Sequence, residues 1–87
     1  MSADNISSFE IESFRKRLSE LAQSGAIDDA LFADVIYTAM SNFGIDETMF
    51  RDSFGLSKGA VDRWMQAQNL PQPAVRPKII IWIKENL

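Results

Sequence analysis

One local pattern recurs four times along this chain, and it dictates the fold class. An apolar residue precedes Ser or Asp, and a second apolar residue follows five positions after the first. The four instances are Ile6-Ser7 with Ile11, Ile27-Asp28 with Phe32, Ile45-Asp46 with Phe50, and Leu56-Ser57 with Val61. This is the hydrophobic staple around a helix N-cap: the Ser or Asp oxygen accepts an orphan backbone amide, and the flanking apolar pair closes over the turn. Glu10, three residues after Ser7, completes a capping box at the first start. Gly25, Gly44 and Gly55 stand where the preceding helices must stop, in the left-handed conformation glycine adopts most readily. Helices are therefore predicted over about 8–23, 29–42, 47–54 and 58–67.

Apolar spacing supports each of them. The first carries Ile11, Phe14, Leu18 and Leu21 on one face. The second carries a broad stripe, from Leu31 and Phe32 to Met40 and Phe43, that suits the centre of a fold. Two prolines, Pro71 and Pro73, make residues 68–73 a loop. In the last segment Ile79-Ile80-Ile81 favours a strand by propensity. Against that, Val75, Ile79, Trp82, Ile83 and Leu87 recur at helical spacing, and Pro77 fits the first turn of a helix beginning near 74–76. The expectation is an all-α protein: a compact bundle of five short helices.

With 87 residues, the chain is read as one domain over 1–87, with an extra N-terminal helix in 1–25 and a core in 28–87. It has no cysteine and no histidine, which removes disulfides, thiolate metal sites, and the commonest general base and zinc ligand. Carboxylates such as Asp28, Asp29 and Asp34 lack the glycine-containing loop of a calcium site. No phosphate loop, nucleophile elbow or acid–base pair is present. The expectation is a binding module with no catalytic residue, metal, cofactor or evident small-molecule ligand. No apolar run approaches the roughly 18–20 residues of a membrane span, and the acidic, polar residues 1–5 are not expected to be a signal peptide. A cytoplasmic location is expected.

Net charge is −3, unevenly spread. Residues 1–50 hold nine acids against three bases, whereas residues 51–87 hold six bases (Arg51, Lys58, Arg63, Arg76, Lys78, Lys84) against three acids. That asymmetry suits a C-terminal face turned toward a polyanion.

The third and fourth helices, joined by Gly55-Leu56-Ser57, form a helix-turn-helix with its motif at about 46–67. Phe50-x-x-x-Phe54-Gly55-Leu56-Ser57-x-x-x-Val61-x-x-Trp64 resembles the Cro/C1 (lambda-repressor-like) family of transcription regulators, as does the following Asn69-Leu70-Pro71-x-Pro73. Three features depart from the family's pattern: Arg51 stands where a small residue is usual, Ala67 replaces a common glycine, and Gly59 and Ala60 supply no side-chain readout beside an opposing Asp62.

The resemblance implies a repressor-like DNA-binding protein whose fourth helix enters the major groove of duplex DNA. Val61 and Trp64 would anchor that helix inward, leaving Ser57, Lys58, Gly59, Asp62, Arg63 and Gln66 outward. Carried over by position, Lys58, Gly59 and Arg63 face base edges, while Ser57 and Gln66 lie nearer phosphates. Arg63 best suits the edge of guanine. Asp62 opposes the DNA backbone unless it accepts from a cytosine amino group or pairs with Arg63. Free amides at the helix start would meet a phosphate, and Arg51, Arg76 and Lys78 would add attraction without sequence preference. The alternative is a helix-turn-helix used for protein–protein interaction, with the acidic half as its docking surface. The first helix is expected to pack on the second, the other use of its stripe being a homodimer seam. Ile80 and Ile81, surplus to one face, suggest a C-terminal contribution to any dimer.

Overall fold

In the computed structural model, residues 7–87 are described, and they form five helices and no strand. The all-α expectation holds.

Local chemistry accounts for the first three helices. In α1 (Ser8–Ser24) the Glu10 amide donates to Ser7 Oγ at 3.1 Å and the Ser7 amide donates to Glu10 Oε1 at 3.1 Å, closing the capping box. Ile6, the outer half of that staple, lies outside the described residues. Asp28 caps α2 (Asp29–Asn42) by accepting the Leu31 amide at 2.8 Å. Asp46 caps α3 (Glu47–Phe54) by accepting the Met49 amide at 3.0 Å. Gly55, at φ 65°, ends α3 with its amide on the Arg51 carbonyl at 2.8 Å.

α4 (Ala60–Met65) departs from expectation. Ser57 does not cap it; Ser57 and Lys58 belong to the connecting turn, and Gly59 stands at the N-cap position with φ 86° and no side-chain bond. A left-handed residue cannot continue a right-handed helix, so α4 begins only at Ala60 and, ending at Met65, has six residues. α5 (Arg76–Glu85) takes Pro77 in its first turn, as the proline requires.

The core is a chain of aromatic contacts joining four helices. Trp64 meets Phe32 edge-on at 5.6 Å between centroids and Phe50 at 6.3 Å. Trp82 packs on Phe50 at 4.8 Å and on Phe54 at 5.3 Å. Both staple pairs Ile27–Phe32 and Ile45–Phe50 are buried.

α1 packs chiefly along α5 rather than on α2. It reaches the α2 side through a flat stack of Phe14 on Phe43 at 4.5 Å and an exposed ion pair, Arg17 with Asp34, at 3.1 Å. The reason lies in α5, where Ile79 and Ile80 are both buried although successive helical residues point about 100° apart. One side of α5 meets the body, and the other needs a cover, which α1 supplies. The isoleucine surplus is thus largely used within the chain; Ile81 alone of the three stays exposed.

Candidate nucleic-acid interface

The fourth staple pair sets how α4 sits. Val61 is fully buried, Trp64 is 5% exposed, and Leu56 packs half-buried against the same cluster. With that face anchored, Ser57, Lys58, Asp62 and Gln66 are exposed, while Gly59 and Arg63 are half-buried. The division into an inner and an outer face follows the spacing of the two anchors.

The local geometry differs from the sequence expectation at three points. Lys58 and Gly59 lie in the turn before α4, so they are not presented by its first helical turn. The amide of Gly59 is not free for a phosphate: it donates to Glu47 Oε2 at 3.2 Å. The next amide, that of Ala60, donates to the Ser57 carbonyl at 3.2 Å. Arg63 is folded back across the turn, with Nη1 only 3.2 Å from where a Cβ on residue 59 would lie. Glycine at 59 is therefore called for by its positive φ, and the flexible end of Arg63 occupies the open space beside it.

Arg76 is not an outward base. It is 5% exposed, and its guanidinium is consumed inside the protein. Nε donates to the Pro71 carbonyl at 2.9 Å, Nη1 to the Ile27 carbonyl at 2.8 Å, and Nη2 pairs with Asp29 Oδ1 at 2.9 Å. The cation also lies 5.7 Å from the Phe32 ring centroid. Planar donors fanning in three directions suit this role, which a lysine could not fill. Nothing local in Val75-Arg76-Pro77 signals it, because every partner is distant in sequence or a backbone carbonyl.

Glu47 is the second residue that sequence reasoning missed. Its position just after the Asp46 cap marks it only as an acid complementing the α3 dipole. Folding brings it to the turn before α4. The surface around that turn then carries Lys58 and Arg63 against Glu47 and Asp62 and is locally balanced in charge. Arg51 is half-buried in the last turn of α3, and Lys78 is exposed on α5.

Beyond α4 the chain turns sharply. Ala67 at φ 59° and Asn69 at φ 48° both occupy the left-handed region, and Ala67 stands where the resembled family commonly has glycine. A shallow groove between α1 and α5, lined by Ser19, Ala22, Gln23, Ile81 and Lys84, involves no residue of α4. Among the described residues, no helix is long and apolar enough to cross a membrane, and no group of three acidic side chains could hold a metal ion. Compared with protein-family models, curated proteins and solved structures, the chain finds no match.

Proposed function

We propose that this chain binds duplex DNA as a small regulator of the Cro/C1 type, inserting α4 into the major groove and acting by occupying an operator. One observation supports the reading above others: α4 is anchored from behind by Val61 and Trp64, while Lys58, Asp62 and Gln66 stay exposed in front. Groove insertion requires a helix held in that way. The resemblance of residues 46–73 to that family points in the same direction. Arg63 would read guanine after swinging away from Gly59, and Lys58, with Arg51, would face phosphates.

A specific observation favours a second reading, that of a protein-interaction module. The Glu47 carboxylate on the Gly59 amide, together with exposed Asp62, places two acids beside the surface that would meet DNA.

Selection from a random pool of duplex DNA at low salt separates the two. Enrichment of a short motif over several rounds is the expected result, and a palindrome within it would indicate a two-fold dimer. Binding without enrichment, lost at moderate salt, would reduce the protein to a phosphate-tracking one. No binding at low salt would leave the interaction module. On the enriched site, Arg63→Ala should weaken binding by about 1–3 kcal/mol without altering the thermal transition. Unchanged affinity would remove Arg63 from the readout.

A further inference from the structure

The Glu47 carboxylate does a job that does not need its charge. Asp46 already caps α3 through the Met49 amide, so Glu47 is free to serve the turn before α4. Its bond to the Gly59 amide, at 3.2 Å, is one that any neutral carbonyl oxygen on a side chain of equal reach could accept. No direct ion pair neutralises that charge either. The ion pairs among the described residues are Arg17 with Asp34 and Arg76 with Asp29. Arg63, although its Nη1 lies over Gly59, closes no ion pair with Glu47. A carboxylate with no direct ion-pair partner is thus fixed at the entry to the helix that would meet DNA.

We propose that Glu47 sets a threshold for binding at this surface: its carboxylate, held against Gly59, repels backbone phosphate, so that stable binding depends on contacts to bases. The inference rests on the DNA-binding reading above. Attraction between bases on the protein and phosphates on DNA supplies nearly all non-specific affinity, whereas a preferred site adds contacts to base edges. A fixed negative charge subtracts from the first term on every sequence. Non-cognate duplexes, which have only that term, are left too weak to be occupied, while a preferred site keeps its base contacts. Discrimination by like charge is a general way to reject wrong partners.

Two substitutions separate the charge from the hydrogen bond. Glu47→Gln keeps an acceptor at the same reach and removes the charge, while Glu47→Asp keeps the charge and gives up the reach. Each would be titrated by fluorescence anisotropy against a labelled duplex of unrelated sequence and against the enriched duplex, at about 50 and about 200 mM salt. Circular-dichroism melts would confirm that all three proteins are folded. Glu47→Gln should bind the unrelated duplex roughly three- to ten-fold more tightly, with a salt dependence steeper by about 0.9 in log–log slope. The enriched duplex should gain by a similar factor, and Glu47→Asp should keep the wild-type slope. Wild-type affinity and slope in Glu47→Gln would overturn the proposal. So would a Glu47→Asp variant that matches Glu47→Gln, since the bond and not the charge would then matter. A wild-type protein that binds neither duplex at low salt would instead overturn the DNA reading, and this proposal with it.

Discussion

The two helices of the helix-turn-helix are built on different principles. α3 is written in its own residues: Asp46 caps it, Gly55 ends it, and its extent matches the sequence reading. α4 has no side-chain cap and only six residues, too few to persist by local propensity alone. It is helical because Val61 and Trp64 are held in a core built by α2, α3 and α5, and because Glu47 fixes the turn that leads into it. One element of the motif carries its own start and stop signals, and the other is placed by its neighbours. The element that would do the recognition is the dependent one.

The largest test of that dependence is Val61→Asp, which would bury an unpaired charge at the anchor. A loss of about 4 kcal/mol or more is expected, enough to abolish a cooperative melt in a domain this small. A cooperative transition near the wild-type temperature would mean that α4 is not held as described. Next comes Arg76→Ala, which strands the carbonyls of Ile27 and Pro71 beneath the loop that follows α4. Because Asp29 can turn to water, the expected cost is about 2–3 kcal/mol, less than for a fully enclosed pair. Chemical denaturation would measure it, and a loss below about 0.5 kcal/mol would make the clamp ornamental.

The contrast itself is sharpened by a matched pair. Asp46→Ala should cost about 1 kcal/mol, as removal of a working cap does. Ser57→Ala should stay within about 0.5 kcal/mol of wild type, since Ser57 caps nothing. Equal losses would restore Ser57 as a cap and erase the difference between the two helices. The smallest effect concerns the exit from α4, where Ala67 sits at φ 59°. Ala67→Gly relieves about 1 kcal/mol of backbone strain and gives part of it back by loosening the unfolded chain, so a gain of up to about 0.5 kcal/mol is expected. A clear loss on thermal melting would show that the alanine methyl contributes packing that its geometry does not suggest.

What could be read in the sequence divides along the same line. Ser7, Asp28 and Asp46 announce their helices because a cap and its amide lie three residues apart. Pro77 announces the start of α5 for an equally local reason. Ser57 carries the same signature and fails, because Gly59 adopts a left-handed conformation and gives its amide to a carboxylate twelve positions away. The inner and outer faces of α4 were legible from Val61 and Trp64. The charge that Glu47 adds beside them was not, nor was the withdrawal of Arg76 from the outward bases. The preference of α1 for α5 over α2 was hidden for a related reason. A stripe of apolar residues states that a face will be covered, not by which partner.

Arg76 has one more consequence, for the order in which the molecule comes apart. By gripping the carbonyls of Ile27 and Pro71 it clasps, in the folded state, the two ends of the stretch that contains α2, α3 and α4, and leaves α1 outside. Detaching α1 from α5 breaks none of its three polar contacts. Amide protons of α1 should therefore exchange with solvent through an opening of their own, while those of α2 should wait for a larger event that releases Arg76. In a cysteine-free chain of 87 residues, a single guanidinium would thereby set two tiers of opening.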